Sequence, residues 1–386
     1  MHPTNDRYDL MLAAAKMKKN ILILTSEMGQ GHMSAARGVQ EGLELAYGKT
    51  YNIEIVNFIE FLNKKINKVS KKTYEKLAST NPFIVNFLFE RWNKKSRMKL
   101  LNILNYPMVY RKIKQFFLEK KPDLIISTYP LWDHLTVKLL KKYNPRIPFI
   151  SVITDSTIVH EAWTTAEVDY HIVPDSSTAK ALEEQKIHPK KIKTFGFPIK
   201  KVFFEPINRQ KFLESVHLDP KNFTILLIAV SQKKGKNIKT VDQIRANNPD
   251  SNIIVICGRD NHLLTSFEKL GKEKNTLVLG WTDQMPNFIK SSDIVITKAG
   301  GATIMECIAA AKPVIITKTI ARHELGNAQF VTKRKLGVFL KRKNSNIATA
   351  INEIREDYDS YLSNLNKASK PKASLEIAQF VHKLLR

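Results

Sequence analysis

The chain of 386 residues has only two cysteines, Cys257 and Cys307, fifty positions apart in apolar contexts. They fit buried thiols in a reducing compartment and exclude a disulfide framework or a cysteine zinc site. No apolar run approaches the ~18 residues of a spanning helix. At the N-terminus, Asp6, Arg7 and Asp9 precede a short Leu10–Ala15 stretch, a poor secretory signal. Low-complexity segments and short-period repeats are missing. Acidic residues are scarce: 36 Asp and Glu stand against 62 Lys and Arg, a net charge of +26. Such a balance attracts polyanions, whether nucleic acid, an anionic bilayer or an acidic substrate. The shortage is local. Between Phe61 and Lys121 there are 16 Lys and Arg against Glu75, Glu90 and Glu119, so this window carries +13, half the total.

What is present is ordinary for a globular protein: a hydrophobic fraction of 43%, and length enough for two domains. Apolar strand segments alternate with helical patterns. A first series runs Asn20–Thr25, Asn52–Phe58, Asp123–Thr128, Pro148–Ile153, Tyr170–Val173 and Ile192–Phe195. A second runs Phe223–Val230, Asn252–Cys257, Thr276–Leu279, Asp293–Thr297, Pro313–Ile316 and Gly337–Leu340. This alternation predicts an α/β protein with two doubly wound, parallel-sheet domains. The connection between them begins at Gly196-Phe197-Pro198. Residues 61–121 interrupt the first domain as basic helices with an apolar patch, Phe83–Phe89, followed by Trp92. Apolar residues at Leu375, Ile377, Ala378, Val381, Leu384 and Leu385 predict an amphipathic C-terminal helix.

Glycines cluster where strands end. Lys298-Ala299-Gly300-Gly301-Ala302-Thr303-Ile304-Met305-Glu306 follows the strand Asp293–Thr297. Glycines there let backbone approach a ligand, and the N–H groups opening the next helix suit a phosphate. Glu306, about one and a half turns on, can accept hydrogen bonds from ribose hydroxyls. The first strand ends in Glu27-Met28-Gly29-Gln30-Gly31-His32. His32 then opens a helix at the carboxyl end of a strand, where ligands of open α/β sheets bind. The dipole of that helix favours the neutral imidazole, a base able to deprotonate a hydroxyl; a plain helix cap is the alternative. The glycine spacing is too short for a dinucleotide fingerprint. After Pro148–Ile153 come Thr154, Asp155, His160 and Trp163. Asp155 either orients His32, meets an acceptor hydroxyl or caps a helix. No pair among His32, Asp155 and His160 has zinc spacing, so no metal is expected. Lys200 is a candidate for phosphate contacts and Arg259 for a base or a phosphate, while the lysines after Ser231 either pair with phosphates or are simply solvated. Glu324 and Asn327 are candidates for sugar hydroxyls, with a helix cap the alternative for Glu324.

In their order and spacing these pieces resemble the family 28 glycosyltransferases, and within them the branch of monogalactosyldiacylglycerol synthase and the bacterial diacylglycerol glucosyltransferases. The resemblance runs from about Asn20 to Leu340. It is carried by Gly29-Gln30-Gly31-His32, Thr154-Asp155 with His160 and Trp163, Gly196-Phe197-Pro198-Ile199 and Cys257-Gly258-Arg259. Gly280-Trp281-Thr282-Asp283-Gln284-Met285-Pro286, Lys298-Ala299-Gly300-Gly301 with Glu306, and Glu324 with Asn327 complete it. It departs at Ala229-Val230-Ser231-Gln232, where the family has a glycine-rich turn, at Lys200, where arginine is frequent, and at His323, where glutamine is frequent.

The resemblance implies a GT-B fold: an acceptor domain over residues 1–200 with the insert 61–121, a donor domain over 201–370, and a C-terminal helix, 371–386, crossing back. It implies a UDP-hexose donor, a diacylglycerol acceptor, no cofactor and no nucleic acid partner. The expected location is peripheral, on the cytoplasmic face of an anionic membrane. His32 and Asp155 are then the catalytic pair. Gly31, Lys200, Ser231, Arg259, Trp281, Met285, Gly300, Gly301, Ala302, Thr303, Glu306, Glu324 and Asn327 bind the donor. Phe87, Phe89, Trp92, His160 and Trp163 face membrane or acceptor. A polyprenyl-linked or soluble acceptor, or an inactive nucleotide-sugar-binding relative, are the other expectations.

Overall fold

The computed structural model describes residues 18–27, 30–57, 60–61, 106–229, 236–267, 273–319, 322–341 and 346–386. All twelve expected strands form. The first sheet holds β1 (Lys19–Thr25), β2 (Tyr51–Asn57), β3 (Leu124–Ser127), β4 (Phe149–Val152), β5 (Tyr170–Ile172) and β6 (Ile192–Lys193), in the order β2-β1-β3-β4-β5-β6. The second holds β7 (Thr224–Ile228), β8 (Asn252–Ile256), β9 (Thr276–Leu279), β10 (Ile294–Lys298), β11 (Val314–Lys318) and β12 (Gly337–Phe339), in the order β12-β11-β10-β7-β8-β9. Every pairing is parallel. Strands such as β8, buried at every residue, read as unbroken apolar runs because helices cover both faces.

Among the described residues of the first domain the α-helices are α1 (Gln30–Tyr47), α2 (Tyr106–Lys120), α3 (Asp133–Tyr143) and α4 (Ser176–Glu184). The connection carries α5 (Arg209–Ser215). The second domain has α6 (Lys236–Asn247), α7 (Asn261–Phe267), α8 (Met285–Ser291), α9 (Gly301–Ala309), α10 (Arg322–Lys333), α11 (Ile347–Glu356) and α12 (Tyr358–Ala368), and the chain closes with α13 (Ala373–Leu385). Helix α1 buries Ala36, Val39 and Leu43, one stripe at helical spacing, on Ile21, Ile23, Ile150 and Ile172. Ile113 and Phe116 of α2, with Leu135, Leu139 and Leu140 of α3, cover the opposite face.

The strand order reverses between β1 and β3 in the first sheet, and between β7 and β10 in the second. Crevices at such reversals, beyond the carboxyl ends of the strands, are where doubly wound sheets bind ligands. The loops that open there are those before His32 and before Gly301.

Helix α13 returns to the first domain. Its Ile377, Ala378, Val381 and Leu385 join the core beneath α1. Ser374 donates to the Ile199 carbonyl at 2.9 Å. A Cβ on Gly42 of α1 would stand 2.3 Å from the Ser374 carbonyl oxygen, so only glycine permits this approach. The domains also share apolar contacts, with Ala35, Phe197 and Ile199 in one cluster with Phe203 and Ala302. None of the described helices is long and apolar enough to cross a membrane.

Candidate active site

His32 lies in the first turn of α1, at the reversal of the first sheet. Its Nδ1 stands 2.7 Å from the Thr128 carbonyl oxygen and 3.1 Å from the Thr154 hydroxyl. A carbonyl only accepts, so the proton sits on Nδ1 and Nε2 is the basic nitrogen. Thr128 holds the histidine twice, because its hydroxyl also donates to the His32 carbonyl at 3.0 Å. Tyr129 meets the imidazole edge-on, with ring centroids 5.0 Å apart, and Trp163 lies at 6.2 Å.

Asp155 does not orient the base. Its Oδ2 accepts from the Trp163 indole N–H at 3.0 Å, so it fixes an aromatic wall of the crevice while Thr128 sets the imidazole. Thr128 carries no motif in the sequence. Its clue was topological, since it ends the strand that lies beside β1 across the reversal. His160 caps the short helical turn Glu161–Thr164 by accepting from the Ala162 N–H at 3.0 Å.

Two residues beyond His32, the Ser34 hydroxyl crosses to the second domain and donates to Glu306 Oε1 at 2.9 Å. Burial raises the Glu306 carboxyl to about 7, against a smaller opposing pull from the Ser34 hydrogen bond and the charge of Lys200. Glu306 is thus titrating at neutral pH, in contact with the domain that holds the base. The base and the candidate ribose ligand are therefore joined through one turn of α1, a connection that sequence spacing alone did not disclose.

The loop after β4 seals the same seam. A Cβ on Gly301 would stand 2.8 Å from the Thr154 carbonyl oxygen, and one on Gly326 would stand 2.4 Å from that of Ser156. Gly301, expected to admit phosphates, here admits the opposite domain. Asn327 is engaged at both ends of its amide: Nδ2 donates to the Ala299 carbonyl at 3.0 Å, and Oδ1 accepts from the Ser156 N–H at 3.1 Å. Glu324, buried in the first turn of α10, forms an ion pair with Lys298 at 2.5 Å. Gly300 is the residue before α9, and Ala302 and Thr303 continue its first turn, with Ala302 3.8 Å from the Cβ position of Gly31.

At the ends of β8 and β9, the Arg259 guanidinium lies over the indole of Trp281, 5.4 Å from the ring centroid. Trp281 is 60% exposed, a flat aromatic face beside the second crevice. Met285 starts α8 and packs on the core. Lys200 precedes a helical turn, its Nζ 5.8 Å from the Phe203 ring centroid. Ser231, Phe87, Phe89 and Trp92 lie outside the described residues.

Residues 32–199 match the family model for monogalactosyldiacylglycerol (MGDG) synthase, and residues 223–384 match that for the glycosyltransferase family 28 C-terminal domain. A probable monogalactosyldiacylglycerol synthase 3 of Oryza sativa subsp. japonica is 27% identical over 98% of this chain and 77% of its own length. A processive diacylglycerol beta-glucosyltransferase of Bacillus licheniformis is 26% identical over 93% of this chain and 90% of its own. Among solved structures, Anabaena HepE in complex with UDP aligns with a TM-score of 0.56 at 16% identity, covering 95% of this chain and 99% of that one. A UDP-GlcNAc 2-epimerase from Neisseria meningitidis aligns at 0.60 and 12%, covering 96% and 99%. At these identities the structures share the fold; the reaction has to be argued from the site.

Proposed function

We propose that this chain, which belongs to the family 28 glycosyltransferases, moves a hexose from a UDP-sugar to the hydroxyl of diacylglycerol at a membrane surface, with inversion and without a metal. The observation that carries the reading is the 2.7 Å contact of His32 Nδ1 with the Thr128 carbonyl oxygen. With Nδ1–H on the Thr128 carbonyl, Nε2 takes the proton of the acceptor hydroxyl. The hydroxyl oxygen then forms a bond to the anomeric carbon as the bond from that carbon to UDP breaks on the opposite face. The electron pair leaves with the diphosphate, which the backbone N–H groups opening α9 at Gly300–Thr303 stabilise, with Lys200 or Arg259. Glu306 holds the ribose once Ser34 releases it. Trp281 and Arg259 offer a face for the base, and Glu324 with Lys298 lies on the donor-sugar side.

One screen tests this. UDP release is measured for UDP-glucose, UDP-galactose and UDP-N-acetylglucosamine with diacylglycerol, a polyprenyl phosphate and soluble sugars as acceptors, with and without EDTA. Release with diacylglycerol and a UDP-hexose, undiminished by EDTA, is expected. Activity only with another acceptor, or activity abolished by EDTA and restored by magnesium, overturns the corresponding part of the reading.

The lipid half rests on the +13 of residues 61–121. Each Lys or Arg near an anionic bilayer contributes about 1 kcal/mol, and salt screens it. The protein is expected to co-sediment with vesicles rich in anionic lipid, to bind neutral ones far less, and to release as salt rises. Replacing Phe87, Phe89 and Trp92 by Ser should weaken binding most at high salt, where the apolar contribution dominates. Indifference of the wild-type protein to anionic vesicles at low salt removes the insert as an anchor.

A further inference from the structure

The loop after β4 touches the base with its first residue and the second domain with those that follow. Thr154 sets its hydroxyl 3.1 Å from His32 Nδ1. Asp155 fixes the Trp163 indole, whose ring centroid is 6.2 Å from that of the imidazole. The next residue is held by α10. Asn327 accepts from the Ser156 N–H at 3.1 Å through Oδ1 and donates to the Ala299 carbonyl at 3.0 Å through Nδ2. Asn327 is 2% exposed and Ser156 1%. Both bonds are therefore out of water, where a lost partner is costly. Ala299 joins β10 to α9, so one amide ties the loop of the first domain to the frame of the second.

Gly326, the residue before Asn327, permits this approach. Glycine weakens a helix interior relative to alanine. Here, however, a Cβ would stand 2.4 Å from the Ser156 carbonyl oxygen and 2.7 Å from the Ile158 nitrogen. Between those two contacts lies Thr157, with a φ of +65°. A β-branched residue in the left-handed region is strained, and it persists only where its surroundings over-determine it. The Ser156 bond to Asn327 supplies part of that constraint. The bond from the Thr157 N–H to the Thr178 hydroxyl of α4, at 3.1 Å, supplies another.

We propose that Asn327 is a positioning residue for His32, acting across the domain seam: it holds the loop after β4 in its strained turn and so keeps the Thr154 hydroxyl against the imidazole. The proposal rests on His32 being the base. The sequence offers Asn327 for a sugar hydroxyl; in the fold its amide bridges two stretches of backbone. The two threonines divide the work on the ring. The Thr128 carbonyl decides which nitrogen carries the proton, and Thr154, on the same nitrogen, limits how the ring tilts in the crevice. A base displaced from its acceptor hydroxyl loses turnover rather than affinity. The support of the base thus comes from the domain proposed to bind the donor, and it is complete only while the two domains are together.

The test uses the full chain and compares two backgrounds. Asn327→Ala should lower kcat about ten-fold, with KM for the UDP-sugar and the dissociation constant of UDP within about two-fold of wild type. Introduced into His32→Ala, the same substitution should change the residual turnover by no more than about two-fold, because residues that act as a unit are not additive. Gly326→Ala pushes the loop away while Asn327 stays in place, and alanine favours α10. It should show the same pattern, and it carries the test if Asn327→Ala does not fold. Equal losses in the two backgrounds overturn the proposal, as does a wild-type kcat in folded Asn327→Ala. A raised KM for the donor, or a changed preference among UDP-sugars, also overturns it and returns Asn327 to the sugar. Failure of the base reading is distinct: His32→Ala alone then turns over normally.

Discussion

His32→Ala lowers turnover roughly 10²–10⁴-fold, the range expected for removal of a positioned general base, while the affinity for UDP stays within about two-fold. The asymmetry follows from where the side chain sits. The ring belongs to the first domain, held by Thr128 and Thr154 and walled by Tyr129 and Trp163. Most groups proposed for UDP, Arg259, Trp281, Gly300–Thr303 and Glu306 among them, belong to the second domain. The imidazole therefore acts on the acceptor proton alone, and its loss slows the step in which the hydroxyl attacks. Turnover with saturating donor and calorimetry with UDP decide it. Near-normal turnover would remove His32 from the mechanism. A large loss of UDP affinity would instead mean that the ring supports the donor side.

Glu306→Ala weakens UDP binding by about 1.5–3 kcal/mol, the usual worth of a hydrogen bond to a charged group, which is roughly 10–150-fold in dissociation constant. The ligand-free contact of Glu306 with Ser34 supplies the control. Ser34→Ala removes a competitor for the carboxylate and should not weaken UDP, whereas Glu306→Ala removes the ribose ligand itself. An unchanged dissociation constant in a folded Glu306→Ala variant places the ribose elsewhere.

The same group has a pH signature. Its carboxyl is raised from 4.5 to about 7, so the native state binds a proton that the unfolded chain has released. The stability this contributes is present in full below about 4.5 and lost as pH rises through 7. Glu306→Gln should therefore gain stability relative to wild type at pH 8 and gain nothing at pH 4. UDP affinity of the wild type should rise across the same interval, as the carboxylate forms, and that rise should vanish in Glu306→Gln.

Much of the fold was legible because parallel strands covered on both faces are unbroken apolar runs. Segments such as Asn252–Cys257 and Asp293–Thr297 announce themselves by composition, and the helix Ala373–Leu385 by its stripe. The glycine loops before His32 and Gly301 were legible for a related reason: they follow strands directly, and strand ends at a reversal of order form the crevice. Glu306 was singled out by counting along a helix. The partners of these groups were not. Thr128 lies 96 positions from His32 and Ser34 lies 272 from Glu306, and neither separation leaves a local pattern. For the same reason the sequence could not choose among the roles open to Asp155: the carboxylate nearest in motif is not the group that the fold brings to the imidazole.

The sequence by itself determined the two parallel-sheet domains, the amphipathic C-terminal helix, the excess of positive charge in residues 61–121, and which side chains could do acid–base and nucleotide chemistry. Those properties depend on composition and on spacings within one strand or one helix. Only the tertiary structure decided how those side chains are set. It assigned the His32 proton to Nδ1 through the Thr128 carbonyl. It turned Asp155 to Trp163 and set Gly301 and Asn327 against the loop after β4. Each of these is a contact between distant segments, fixed by strand order and by the closeness of two domains. Burial, which shifts Glu306 toward neutrality, exists only once the chain has folded around it.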